Sequence, residues 1–189
     1  MSKTTVKNPC KVITGSKTIF SYLNVNEPKV PLGGGTPKYS VSLIIPKSDT
    51  ATVGRIRAAI RAAYEEGQGK LRGTGKSVPA LDAIKLPLRD GDTKDDAAYK
   101  GCWYINANSA TKPGVVDSNC QPIIETSELY SGIIGRASIT LYAFNSKGNR
   151  GIAAGLNNLQ KLADGTPLGG HSRAEDDFAD LDDEDDFLD

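Results

Sequence analysis

Histidine, tryptophan and methionine each occur once in this chain of 189 residues, and cysteine occurs three times. With His171 as the lone imidazole, acid–base schemes built on histidine have almost no material. A zinc site needs four nitrogen or sulfur ligands at close spacing, and Cys10, Cys102 and Cys120 contain no C-x-x-C pair. The same odd, unpaired set argues against a disulfide framework and predicts three reduced, mostly buried thiols. No apolar run approaches the roughly 18 residues of a membrane-spanning helix. The opening segment MSKTTVKNPCK lacks the apolar centre of a signal peptide. The expected compartment is therefore the cytoplasm.

Catalytic motifs are equally scarce. Residues 69–77, GKLRGTGKS, imitate a phosphate-binding loop, but that motif places four residues between its first glycine and the terminal G-K-S. Counting back puts Lys70 where the glycine belongs, with Gly69 one residue too early. Asp82, Asp90 and Asp92 are the carboxylates that a metal-dependent nuclease would use, and they read better as solvated turn acids. The expectation is a protein without cofactor or metal that binds and does not catalyse.

What the sequence does have is a charge partition hidden by a formal net charge of zero. Ten of the fifteen residues from Glu175 to Asp189 are acidic, and none is Lys or Arg. Residues 1–174 are left with 23 basic against 13 acidic side chains, a net of about +10. A basic body with an acidic tail is the pattern of a polyanion binder. The division expected is a folded body over 1–174 and a disordered tail over 175–189, since that tail has too little apolar surface to fold alone. Phe187 and Leu188 sit among its last acids and form a hydrophobic-plus-carboxylate hook for a protein partner.

The body reads as mostly β. Lys11–Leu23 is predicted as a strand bent at Gly15, and Asn24–Lys38, rich in glycine and proline, as a loop. Tyr39–Ile45 is a second strand. Ser48 or Asp49 then caps a helix whose Val53, Ile56, Ile60 and Ala63 share one face, with Gly67 and Gly69 ending it. Lys70–Pro79 is a basic loop. Leu81–Leu88, Gly101–Asn108, Gln121–Glu125, Gly135–Asn145 and Gly151–Leu156 supply further strands, and Asn157–Ala163 suggests a short helix. Strands that do not alternate with helices exclude a doubly wound parallel sheet. The expected fold is α+β, an OB-like Greek-key barrel with one helix and loop elaborations.

Two strands carry candidate binding residues. In Arg136–Phe144 the odd positions Ala137, Ile139, Leu141 and Ala143 are apolar and belong to the core by the two-residue period of a strand. The other face shows Arg136, Ser138, Thr140, Tyr142 and Phe144. Aromatic rings on a polar, basic face suit single-stranded nucleic acid, because unpaired bases stack on them while cations neutralise phosphates. A small second core or packing beneath a loop is the alternative for Tyr142 and Phe144. Lys147 and Arg150 in the adjoining turn extend the charge. In Lys100–Asn108 the more polar face carries Lys100 and Tyr104, the latter a stacking candidate, whereas Trp103 reads either as core or as a further ring of the site. Phe20 and Tyr22, on one face of the first strand, are weaker candidates.

VKNPCKVITG, FSYLNVNEP, YSVSLIIPKSD and SGIIGRASITLYAFNSKGNRGIAAGLNNLQKLADGTPLGG occur in this order over nearly the whole chain. They resemble the phage-encoded OB-fold single-stranded-DNA-binding proteins. The resemblance implies an OB-like barrel, non-enzymatic binding of single strands, and work in phage replication, recombination or repair in the bacterial host cytoplasm. From its charge and its hook the tail is expected to compete with DNA and to recruit replication or recombination proteins; an acidic, aromatic-containing terminus recurs in bacterial and phage single-strand binders, although here Phe187 stands third from the end. A homodimer is left open. The competing reading is a phage structural or assembly protein whose aromatic face is a subunit interface.

The tail yields a prediction. A tethered polyanion competes at high effective concentration, so removing Glu175–Asp189 is expected to tighten DNA binding, most at low salt. Phe187→Ala removes no charge and should leave DNA affinity unchanged while weakening capture of a partner protein. Titrations of the intact, truncated and Phe187→Ala proteins at two salt concentrations check both; unchanged affinity after truncation at low salt would exclude competition.

Overall fold

The computed structural model describes residues 7–31 and 33–168. The acidic tail, with Phe187 and Leu188, and His171 lie outside the described residues.

Eight strands form one sheet: β1 (Lys11–Ile13), β2 (Thr18–Lys29), β3 (Lys38–Pro46), β4 (Leu88–Asp90), β5 (Cys102–Ser109), β6 (Gly114–Val116), β7 (Ile134–Ser146) and β8 (Asn149–Ala163). Five of them close on themselves. β2 pairs antiparallel with β3, β3 with β5, β7 with β8, and β7 with β2, while β5 and β8 pair in parallel. This ring is the five-stranded Greek-key barrel of the OB type. Closure leaves the five main strands paired along both sides for part of their length, which removes long open edges. β1 adds to β7 beside β2, β4 to β5, and β6 to β8.

The two-residue period of β7 is realised. Ala137, Ile139, Leu141 and Ala143 are buried, whereas Arg136 and Tyr142 are exposed. They meet Phe20, Leu43, Ile45 and Ile105 in a continuous apolar interior. Helix α1 (Thr50–Glu66) packs on this interior through Val53, Ile56, Ala59, Ile60 and Ala63. Asp49 is the cap, its carboxylate accepting from the Thr52 backbone N–H at 3.2 Å and from the Thr52 hydroxyl at 2.6 Å. Gly67 ends the helix, its N–H donating to the Ala63 carbonyl. A Cβ at position 67 would collide with Ala143, so glycine also lets the helix end approach β7.

Several expectations need correction. The strand predicted over Lys11–Leu23 pauses at residues 14–17, giving β1 and β2, both paired to β7; the bend expected at Gly15 is this pause. The predicted loop from Asn24 begins only after Lys29, because β2 continues alongside β3. A short helix α2 (Gln68–Arg72) precedes the basic loop. Leu81–Leu88 forms a 3-10 turn at Leu81–Ala83, and pairing to β5 starts only at Leu88. Gln121–Glu125 contributes a single bridge, Val116 to Pro122. Asn157–Ala163 is strand, not helix: β7 binds one edge and β6 the other, so paired backbone groups on both sides override a weak helical pattern. Of the thiols, Cys10 is buried, Cys102 half-buried and Cys120 exposed.

Ile139, fully buried, should lose about 2–5 kcal/mol of stability on truncation to Ala. Tyr142→Ala, on the opposite face of the same strand, should cost far less. Urea unfolding of the two variants tests the face assignment, and equal losses would contradict it.

Candidate nucleic-acid interface

The outer face of β3 and β5 is polar from Ser40 to Ser42 and from Asn106 to Asn108, and apolar beyond, at Ile44 and Tyr104. Ser40 lies opposite Asn108 and Ser42 opposite Asn106, while the intervening pair Val41 and Ala107 points inward and is buried. Beside them β2 carries an irregularity that sets the site. Register with β3 shifts between Ser21 and Asn24, and Tyr22 adopts φ 46°. A positive φ is uncommon for a residue with a side chain and is held only by its surroundings. Here the Asn24 amide donates to the Tyr22 carbonyl at 2.9 Å and to the Ser40 hydroxyl at 3.2 Å, and the Leu23 N–H donates to the Ser131 hydroxyl at 3.0 Å. The break in alternation sends Phe20 fully into the core and leaves Tyr22 61% exposed.

Tyr22 stands between two grooves. One, of about 380 Å³, runs over Ser40, Ser42, Asn106 and Asn108 between Pro31 and Lys94. The other, of about 460 Å³, is lined by Asn24, Lys29, Tyr130 and Leu168 among others. The Lys94 ammonium lies 5.4 Å from the centre of the Tyr22 ring, 4.2 Å from Tyr99 and 5.0 Å from Tyr104. Cations at such distances are held by the ring quadrupole. The result is an exposed ring, a neighbouring cation and a floor of hydroxyl and amide groups, which together can take a base, a phosphate and base edges.

The residues singled out from sequence fall in different places. Tyr104 is on the outer face of β5 as alternation requires, yet it is buried. The turn at Ala97–Tyr99 folds over it, Tyr99 meets its ring edge-on at 5.1 Å, and Ile44 completes this second small core. Tyr104 therefore offers no open ring face, a correction to its reading as a stacking residue. Trp103 is on the inner side, half-buried, its ring between Lys47 at 5.2 Å and Arg57 at 5.1 Å. The Lys100 ammonium donates to the carbonyls of Asp92 and Lys94 and tethers that loop.

Arg136 and Tyr142 share the outer face of β7 with half-buried Phe144, Arg136 near the start of the strand and the two rings near its end. Glycines of β8 make room for the two rings. A Cβ at Gly155 would meet Tyr142 at 3.7 Å, and one at Gly151 would meet Phe144 at 3.0 Å. Lys147 is exposed in the β7–β8 turn at φ 50°. Arg150 is half-buried, and its Nε is buried without a hydrogen-bond partner. Sequence reasoning missed Lys94 and undervalued Tyr22. The available signal was the alternation of Ser40 and Ser42 with apolar neighbours, matched by Asn106 and Asn108.

The loop carrying Lys94 and Tyr99 is clamped by charge. The Lys47 ammonium binds Asp90 at 2.8 Å and Asp92 at 2.6 Å. The Gly101 N–H donates to Asp92 Oδ1 at 2.8 Å. These bonds raise the Lys47 pKa, through Asp90 and then Asp92. They lower that of Asp90, chiefly through Lys47, and that of Asp92, through the Gly101 N–H and then Lys47. Asp90 and Asp92 thus act as clamp residues, and among the described residues no group of His, Cys, Asp or Glu is arranged to hold a metal ion. No described helix is long and apolar enough to cross a membrane.

Comparison with known proteins places this geometry among relatives. The family model described as "Enterobacter phage Enc34, ssDNA-binding protein" matches residues 10–188. A curated relative, "Putative protein p50" of Acyrthosiphon pisum secondary endosymbiont phage 1, is 31% identical over 159 residues, covering 82% of this chain and 85% of its own length. The fold is similar to that of the single-stranded DNA-binding protein from bacteriophage Enc34, solved in complex with ssDNA. That likeness has a TM-score of 0.68 and 27% identity, with 85% of this chain and 90% of the other covered. It is also similar to gp2.5, a single-stranded DNA-binding protein of bacteriophage T7. There the TM-score is 0.58, the identity 16%, and the coverage 94% and 97%.

The clamp has a definite pH window. Depressed carboxylate pKa values stabilise the fold above the ordinary carboxylate range near 4 and lose that contribution as pH falls through the folded values. The raised Lys47 pKa contributes below about 10.5 and is lost as pH rises through its folded value. An Asp90→Asn/Asp92→Asn variant should therefore show a shallower loss of stability between about pH 5 and pH 2. Denaturant titrations followed by Trp103 fluorescence, whose ring faces Lys47, measure it. Identical pH profiles for variant and parent would remove the clamp from the account.

Proposed function

The chain belongs to the Enterobacter phage Enc34 ssDNA-binding protein family, and on that footing we propose that it binds single-stranded DNA, without catalysing a reaction and with tolerance of sequence. The observation that carries the reading is Tyr22, turned outward on the OB face beside Lys94 and the polar groups of β3 and β5. In OB folds the face of the second and third barrel strands, here β3 and β5, is the one that takes oligonucleotides. A base stacked on Tyr22 gains about 1–3 kcal/mol from contact that every base offers. Lys94 and Lys29 neutralise neighbouring phosphates, and Ser40, Asn106 and Asn108 bond to sugars, phosphates or base edges as the strand passes; Ser42, buried beneath them, accepts from the Tyr99 hydroxyl at 3.0 Å.

Tyr142 and Arg136 on β7 extend this surface, with Phe144 as a partly covered third ring. Lys147 and Arg150 add charge at the β7–β8 turn. The division into a DNA-binding body over 1–174 and an acidic tail over 175–189 assigns competition with DNA and recruitment of replication or recombination proteins to the tail, through Phe187 and Leu188. Phage replication, recombination or repair in the host cytoplasm is the setting in which such a protein works.

Binding to a single strand should weaken with salt at a log–log slope of about −0.7 per phosphate neutralised. Tyr22→Ala and Tyr142→Ala should each cost about 1–3 kcal/mol of binding with the unfolding transition nearly unmoved. Fluorescence anisotropy titrations with labelled oligonucleotides, paired with urea unfolding, read both quantities. Full DNA affinity in both variants, with a change in subunit assembly, would favour the reading of this face as a subunit interface.

A further inference from the structure

A barrel whose strands are staggered does not return a row of paired residues to its starting point; the row winds around the outside. Followed from β2, one such row is Asn24, Ser40, Asn108, Gly155, Thr140 and Lys11. Each residue is the registered partner of the one before, none is buried, and the residues flanking them in sequence at Val12, Val41, Ala107, Ala154, Ile139 and Leu141 point inward and are buried. The row is made of short side chains or none until it reaches Lys11. Tyr142 stands beside it at Gly155. It therefore forms a belt of short side chains from the Tyr22 face, across β5, β8 and β7, to β1, bordered at Gly155 by the Tyr142 ring and at Thr140 by the Asn157 amide, which donates to the Thr140 hydroxyl at 2.9 Å.

The belt ends in an open groove of about 940 Å³ between β1, β7 and α1. Lys7, Lys11, Arg55 and Arg136 line it, and no carboxylate does. Arg55 is fixed there, its Nη2 donating to the Ile13 carbonyl and to the Thr52 hydroxyl, each at 3.2 Å. Ile13, 54% exposed, gives the groove an apolar patch the size of a base. The acids in the surrounding elements are engaged elsewhere: Asp49 caps α1, Glu65 accepts from the Gln68 amide, and Glu66 accepts from the Cys10 thiol.

We infer that this groove is a second phosphate-binding station on the same DNA path, so that a strand seated on Tyr22 continues along the belt and lays its backbone between Lys7, Lys11 and Arg55. This rests on the proposal that the chain binds single-stranded DNA and adds a length requirement to it. A strand too short to follow the belt meets only the Tyr22 face; a longer one meets both stations.

The test compares oligothymidylates of about 5 and about 20 nucleotides, at the lower end of and above the site sizes typical of one OB fold. The proteins are the full chain and its Lys7→Gln/Lys11→Gln variant, both substitutions at exposed positions. The variant is expected to bind the short strand as the parent does and the long strand more weakly, by about fivefold per lost phosphate contact near 0.1 M salt. Its salt slope on the long strand should flatten by about 0.7 per contact. A Lys7→Arg/Lys11→Arg variant keeps the charges and should restore long-strand affinity, which separates a lost contact from a damaged fold. Equal weakening on both lengths would reduce the groove to a general electrostatic field and overturn the inference, as would unchanged binding on both. A parent protein that binds neither length would instead overturn the proposed function, and the inference with it.

Discussion

Pairing of β7 along both edges is the constraint on which the rest of this structure depends. On one side it is hydrogen-bonded to β8 from Ile134 to Ser146, on the other to β1 and the start of β2. A strand held in this way cannot slip by one residue, because the slip would move Ala137, Ile139, Leu141 and Ala143 out of the core together. With β7 fixed, β5 and β8 are brought side by side in parallel and the barrel closes. The outward set on β7, the glycines of β8 beneath Tyr142 and Phe144, and the basic groove beside β1 are all consequences of that register.

The exposed Tyr22 ring is set against this regular background by a local exception. Positive φ at a tyrosine costs of the order of 1–3 kcal/mol, and here the bonds of the Phe20 backbone to Gly132 and Ile133, and of the Leu23 N–H to the Ser131 hydroxyl, brace β2 on the edge away from β3. The barrel offsets the cost through the surrounding bonds, and the outcome is an aromatic ring in solvent where alternation would have buried it beside Phe20. The adjacent clamp works in the same direction. Lys47, Asp90 and Asp92 fasten a loop that lays Tyr99 over Tyr104 yet leaves Lys94 beside Tyr22. One aromatic of the outer face is thereby covered and another presented.

Much of the fold was legible in the chain because its signals are local. The alternation of β7, the Asp49 cap with its apolar stripe on α1, and the Gly67 stop each depend on a few consecutive residues and on backbone periods that tertiary structure did not disturb. The Greek-key barrel and the likeness to phage single-strand binders were legible too, the latter from long ordered segments rather than from any short motif. The partition of charge between body and tail is likewise a property of the sequence alone.

The candidate site was only half legible, since alternation says which side of a strand a residue takes and not what lies on top of that side. Tyr104 and Tyr142 have the same pattern in sequence; a turn from residues 97–99 covers the first, and nothing comparable among the described residues covers the second, which is 43% exposed. Asn157–Ala163 carries too weak a period to choose between helix and strand, and partners on both edges made it strand. The belt from Asn24 to Lys11 is invisible in sequence altogether, because its members lie on six different strands, with Asn24 and Lys11 on either side of the pause at residues 14–17 and the stagger of the closed barrel between them. Sequence determined the faces and the charges; only the closure of the barrel determined which faces remain open and which charges meet, because both depend on contacts between residues far apart in the chain.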